Sequence, residues 1–366
     1  MTMTATGPRG DPMTDEPTGA RGDPVTTTAE AIALVKAAVD PQDLFSGDAP
    51  ERTYRRLARL LHPDLASGPD AAAAFVRLAR LWAARHGSAG RPRTITTGRG
   101  TYRIAGVHRR GSTAVLYKTG GDTLVKLVRS PADNDLLRRE ADALRTIERK
   151  GVPLLLPYVP RLVESFRYRS GGVERQANVI SRVPDGFLTL DEITRRRSPL
   201  DPRDAAWIWR RLLVAVGVAH RAGIAHGAVF GHHVLVHPIE HGLVLIDWSQ
   251  SAPLGTPLTA LVTRHRDDYP PGVLAREPVT ETLDIRLATR CVATLMGYRA
   301  GRPAAPGGRG PAQDPGGAPR GVPARMRAFI RGSLLSPPRD AWGLLAELDE
   351  LLDDLYGPRL YRPLHL

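Results

Sequence analysis

A single cysteine, Cys291, stands in the 366 residues, so no intramolecular disulfide can form. No apolar run approaches the roughly 18 residues that a membrane helix needs, and the N-terminus shows no apolar core of a secretory signal. A cytoplasmic protein without a membrane partner is therefore expected. Aromatics make up only 5% of the chain, yet a 42% hydrophobic fraction still supports sizeable cores. Lysine is also scarce. Of 51 basic residues only four are Lys, so the net charge of +13 is carried by Arg in an Ala-, Gly- and Pro-rich background. That pattern reads as compositional bias, and nucleic acid is not an expected partner.

Residues 1 to 27 hold a near repeat, T-G-P-R-G-D-P-M-T at Thr6 to Thr14 and T-G-A-R-G-D-P-V-T at Thr18 to Thr26. With almost no large apolar residues it cannot bury a core, and a disordered tail is expected. From 28 to 88 the pattern turns helical. Ala31 to Val39, Pro50 to Leu61 and Asp70 to about Arg85 are predicted helices; the second puts Tyr54, Leu57, Ala58 and Leu61 on one face and Arg55, Arg56 and Arg59 on the other. Between the last two stands His62-Pro63-Asp64. Pro63 stops a helix and fixes the loop, leaving His62 and Asp64 presented beside a basic face. This layout, with D-L-F at Asp43 to Phe45 and Y-R-R-L-A at Tyr54 to Ala58, resembles the J-domain of DnaJ-type co-chaperones. The resemblance implies a DnaK-type chaperone as partner, engaged through His62, Pro63, Asp64, Arg55, Arg56 and Arg59.

The second informative stretch runs from His226 to Ser249. Its apolar runs Val234 to Val236 and Leu243 to Ile246 flank the turn-prone Pro238 to Gly242 and predict a hairpin, and Asp247 follows the second strand. It resembles the H-R-D-L-x-x-x-N and D-F-G patterns of protein kinases, and the H-G-D and I-D-W variants of aminoglycoside-phosphotransferase-like kinases. Two positions depart from the pattern: Ala228 stands where the family has its catalytic Asp, and His233 where it has the Asn that holds a second magnesium. The resemblance extends from 100 to about 356 and implies the remaining parts. Gly111 falls on the Gly-rich loop, where only one of three glycines is kept and Arg109 replaces the first. Lys126, one of the four lysines, lies on the third predicted strand, and Glu140, on the helix from Asp133 to about Arg149, is its implied partner. Asp247 would hold the magnesium of a bound ATP. Val183 to Gly186 is the expected hinge, Asp201 to Ala222 the core helix of a large lobe, and Asp284 the brace of the catalytic loop. Gly272 stands where the family has a Glu paired with an Arg further on, so Arg339 loses that tie.

The expected architecture is α+β: a disordered tail (1–27), a three-helix J-like unit (28–88), a linker (89–99), a kinase-like small lobe (100–184) and a large lobe (185–360) with a disordered insert (300–321). Ala228 cannot serve as a base. A positioned general base is worth about 10² to 10⁴ in rate, or roughly 3 to 5.5 kcal/mol. The expected function is a co-chaperone or adaptor in which a pseudokinase binds nucleotide and a client protein. The alternative is an atypical kinase or nucleotidyltransferase using Lys126 and Asp247. Five of the eleven histidines lie between His226 and His241, but alternate faces would point some of them apart, and loop and core histidines are expected rather than a metal cluster.

Overall fold

The computed structural model describes residues 27–46, 49–62, 65–66, 68–87, 93–170, 172–298 and 321–366. The expected tail, the insert and the positions Pro63 and Asp64 lie almost entirely outside the described residues; only Thr27 and Gly321 fall within them. The chain divides into two compact units, Met1–Arg91 and Pro92–Leu366.

The first unit is helical. Helix α1 (Thr28–Ala37) opens on a capping box in which Thr27 accepts from the Glu30 backbone and Glu30 returns a bond to the Thr27 N–H. Helix α1 ends before Asp40, which caps a further short helix α2 (Pro41–Phe45), for which Pro41 supplies a pre-set φ at the first position. Helix α3 (Pro50–Leu61) and helix α4 (Pro69–Gly87) bury Leu57, Leu61, Ala74 and Leu78 against Val35 and Phe45. The Tyr54 ring stacks on Trp82 at 4.5 Å.

The second unit begins with an antiparallel sheet of six strands in the order β1-β2-β3-β4-β6-β5: β1 (Arg93–Thr96), β2 (Thr101–Arg110), β3 (Ala114–Thr119), β4 (Thr123–Val128), β5 (Leu162–Ser170) and β6 (Val173–Ser181). Strand β1 lies within the expected linker: residues 93–96 pair with 101–104 and form an edge of the sheet. Helix α5 (Asn134–Lys150) buries Leu137, Ala141, Leu144 and Ile147 on its sheet-facing side.

Past the hinge come β7 (Leu188–Thr189), α6 (Leu190–Arg196) and α7 (Pro202–Arg221). Helix α7 carries Trp209, Leu212, Leu213 and Val216, all fully buried, and is the core against which the later helices α9 (Glu281–Leu295) and α11 (Ala341–Tyr356) pack. Between them run β8 (Ile224–Ala225), β9 (Val234–Val236), β10 (Leu243–Leu245), β11 (Ala252–Pro253) and α8 (Pro271–Leu274), with α10 (Ala324–Leu335) preceding α11. The predicted hairpin is present as β9 and β10, in register Val234 to Leu245.

Candidate functional site

The site assembles where β4, α5 and the β9–β10 hairpin converge. Lys126 lies mid-strand on β4, only 3% exposed, and its Nζ donates to Glu140 Oε1 at 2.6 Å and to Asp247 Oδ1 at 2.8 Å. Burial alone would lower the Lys126 pKa, but Asp247 and Glu140 outweigh it and the pKa is raised. Burial would likewise raise that of Asp247; the Lys126 charge and the His233 contact reverse it and hold the carboxyl well below the usual range. Both ends of the cluster are therefore charged. Glu140 is fixed by a residue that the sequence reading missed: Asn178 on β6, fully buried, donates Nδ2 to Glu140 Oε2 and to the Leu137 carbonyl. A lone amide in the apolar run A-N-V-I was the available signal.

Asp247 sits in the left-handed region, φ 63° and ψ 73°, which turns its carboxylate out of the hairpin. Asp tolerates that conformation better than most residues do. Ser249 donates Oγ to Asp247 Oδ1 at 2.6 Å, and Trp248, fully buried, donates Nε1 to the Leu245 carbonyl. Ser249 is a second supporting residue absent from the sequence reading, visible there only as the last position of D-W-S.

The loop before β9 is braced from α9. Fully buried Asp284 accepts the backbone N–H of His226 at 2.7 Å and of Gly227 at 2.9 Å, and meets His220 Nε2 at 3.0 Å. Burial favours protonation of Asp284, but His220 and these N–H groups keep its pKa below the usual value. Gly227 has φ 74°, and a Cβ there would lie 2.7 Å from the Gln250 carbonyl, so the turn admits only glycine. The His226 ring is sealed beneath Trp248 and bonded to the Ile246 carbonyl; burial pushes its pKa down to about 4. The expected brace is thus fully made.

Ala228 is fully buried on this loop and carries no functional group. His233, ending the loop, directs Nδ1 to the Ala228 carbonyl at 2.8 Å and Nε2 to Asp247 Oδ2 at 3.4 Å. His232 stacks with Phe230 and His265, and burial, with the neighbouring charges, lowers its pKa to about 2. Gly111 closes the β2–β3 turn, its N–H bonded to the Ala114 carbonyl rather than free for a phosphate. Arg339 is exposed and shows no tie to the segment before α9. That segment is held by Asp268, which pairs with Arg290 and His265, and by Tyr269, whose hydroxyl donates to the Gly227 carbonyl. A separate groove of about 350 Å³ is bordered by Leu144, Glu148, Leu156, Arg161, Val183 and Val244, none of them in the Lys126 cluster. In the first unit, Arg55, Arg56, Arg59 and His62 are exposed on or next to α3, and the His62 ring meets Phe75 edge-on at 5.6 Å.

The arrangement concentrates charge for binding an anion and a cation together. Asp247 Oδ1 is engaged by Lys126 and Ser249, leaving Oδ2 as the oxygen that could take a magnesium, and Lys126 Nζ sits within reach of the same space. Residues 90–257 match the lipopolysaccharide kinase (Kdo/WaaP) family. The solved structure of vaccinia related kinase 3 is similar with a TM-score of 0.54 at 14% identity, covering 73% of this chain and 91% of that chain. No curated protein matches the chain. The chain carries a protein-kinase-like domain.

Proposed function

We propose that the kinase-like unit binds ATP with a divalent cation through Lys126, Glu140 and Asp247, and that it works as a nucleotide-dependent binding module beside a J-like helical unit. One observation carries the nucleotide reading: Lys126 bonds both a helix carboxylate and the hairpin carboxylate at 2.6 and 2.8 Å. Holding three charged groups together in a nearly dry site is costly unless the groups have a use. Ala228, on a loop otherwise fully braced by Asp284, supports binding without efficient transfer. Ligand that binds only the folded state stabilises by RT ln(1 + [L]/Kd), about 2.7 kcal/mol at a hundredfold excess, which is a few degrees for a unit of this size. ATP with magnesium should raise the melting temperature, less in Lys126→Ala and scarcely in Asp247→Ala. An unmoved wild-type melting curve together with no calorimetric binding at saturating ATP would sink the reading.

The match to a family of lipopolysaccharide kinases favours a second reading, an atypical ATP-dependent transferase. Incubation with α- and γ-labelled ATP separates the two: transfer of either label, abolished by Asp247→Ala, rejects the binding-only function. For the first unit, the exposed arginine face of α3 and the His62-Pro63-Asp64 sequence support engagement of a DnaK-type chaperone. The purified protein should then stimulate that chaperone's ATP hydrolysis. His62→Gln should abolish the effect with helical circular dichroism unchanged, and equal stimulation by the variant would reject the partner.

A further inference from the structure

Two residues past Ala228, the Phe230 ring carries the ring of His265, 4.1 Å away and inclined by 12°. His265 belongs to the segment before α9, and that segment is fastened to the loop a second time by the Tyr269 hydroxyl, which donates to the Gly227 carbonyl at 3.0 Å. The two ties fall on either side of Ala228 in sequence, so the His265 ring is held against the stretch of loop that lacks a carboxylate. From there a run of rings leads toward the charged cluster. His265 stacks at 5.2 Å on His232, His232 lies 3.8 Å from the His233 ring, and His233 Nε2 is 3.4 Å from Asp247 Oδ2. The His265 ring is also oriented from behind. Its Nδ1 lies 2.8 Å from Asp268 Oδ2, and the other oxygen of Asp268 meets Arg290 on α9 at 2.7 Å. The His265 bond and the Arg290 charge hold the Asp268 carboxyl below its usual pKa. A carboxylate only accepts, so the proton of that bond sits on Nδ1. Nε2 is thereby the nitrogen at which the ring gains or gives up a proton. It makes no hydrogen bond to a described residue, and the side chain keeps 27% of its surface open.

We propose that His265, oriented by Asp268, is the general base of phosphoryl transfer to an alcohol, standing in for the carboxylate that Ala228 lacks. The proposal rests on the transferase reading above and supplies the group that reading needs. In the step, the acceptor O–H gives its proton to His265 Nε2 as its oxygen bonds to the γ-phosphorus of ATP. The bond from that phosphorus to the β–γ bridging oxygen breaks, and ADP leaves with the electron pair. The imidazolium then returns its proton to water. An imidazole with one nitrogen on a clamped carboxylate and the other free is the base-and-orienter pair that serves hydroxyl nucleophiles on unrelated folds, recognised by these roles and not by sequence position. His232, the neighbour in the stack, does not suit the task. Burial, with the charges of His233 and Arg264, pushes its pKa down to about 2, too weak a base near neutral pH.

The test uses the full-length protein with magnesium and γ-labelled ATP, glycerol as the alcohol and water as the competing acceptor, and counts label in glycerol phosphate and in free phosphate. The wild type should transfer label above the level of Asp247→Ala. A positioned base is worth about 10² to 10⁴ in rate, so His265→Gln, whose amide can still bond Asp268, should lose transfer about 100-fold or more while calorimetry still finds ATP bound. His265→Ala opens room for a free base, and added imidazole should raise its transfer about tenfold or more without affecting the wild type. The melting temperatures show whether the variants are folded. Undiminished transfer in His265→Gln overturns the assignment and leaves the transferase reading standing. So does a loss that imidazole does not restore in His265→Ala, which would make the ring a packing element of its segment. A wild type that binds ATP but passes label to neither acceptor overturns both this assignment and the transferase reading.

Discussion

Replacing Lys126 with methionine removes a charge while keeping the length of the side chain. Glu140 is 1% exposed and would keep only the Asn178 amide as a partner, whereas Asp247 would keep Ser249 and has access to water. The penalty therefore falls mainly on Glu140. Breaking a buried pair by deleting one partner costs about 3–5 kcal/mol, because the other charge is stranded. At about 2–4 °C per kcal/mol for a unit approaching this size, the transition of the second unit should fall by about 6–20 °C. Glu140→Gln should cost less, about 1.5–3 kcal/mol, since Lys126 still has Asp247. In the double variant Lys126→Met/Glu140→Gln no charge is stranded at Glu140, so its loss should be at least 1.5 kcal/mol smaller than the sum of the singles. Tryptophan fluorescence in a denaturant titration follows the correct unit, since four of the five tryptophans (Trp207, Trp209, Trp248, Trp342) lie in it and only Trp82 in the other. The two units need not unfold together, so the transitions are fitted separately. A loss below 1 kcal/mol in Lys126→Met, or strict additivity in the double variant, would refute the description of Lys126 as the hub of a dry charge cluster.

Acid should weaken the second unit in a defined window. The folded pKa of His226 is about 4, below its unfolded value near 6.5, so its contribution is full above pH 6.5 and lost as pH falls toward 4, by about 3 kcal/mol. His232 acts in the same direction. The depressed carboxyls of Asp247 and Asp284 begin to cost stability only below about pH 3.9, where the unfolded groups take up protons. Urea midpoints flat between pH 7 and 4.5 would contradict the buried neutral His226. Asp284→Asn puts an amide where a carboxylate accepts two backbone N–H groups; hydrogen exchange at 226–230 should accelerate and stability fall by about 1.5–3 kcal/mol, whereas unchanged exchange would show that Asp284 does not brace the loop.

Much of the site was legible because rare residues fell at informative places. Lys126 stood out among four lysines, and Asp247 followed two β-branched runs split by Pro and Gly. Helix α5 and the core helix α7 were implied by the kinase resemblance, α7 also by its long, largely apolar sequence. What escaped was carried by contacts between residues distant in sequence. Asn178 reads as a polar interruption of a strand until the fold brings Glu140 beside it 38 residues away. The segment before α9 is tied through Asp268 and Arg290, a pair that no spacing rule singles out, in place of the tie lost with Gly272. The contact of His233 with Asp247 escaped as well, since only the hairpin register sets the ring there. Strand β1 was hidden by its setting: R-T-I-T is β-prone, but the Gly-, Arg- and Thr-rich composition around it suggested a linker.

That strand has a practical bearing on how the chain can be shortened. A fragment begun at residue 100, where composition suggests a clean boundary, would strip β1 and leave the backbone of β2 unpaired from Thr101 to Ile104. Unsatisfied N–H and C=O groups along a strand edge are templates for pairing with other chains. The same cut would remove Thr97, whose hydroxyl donates to Glu164 on β5. Glu164 is 9% exposed and would keep Tyr102 as its partner there. Fragments that start before Arg93 keep residues 101–104 of β2 paired to β1 and should remain monodisperse, while those that start at 100 should self-associate through β2.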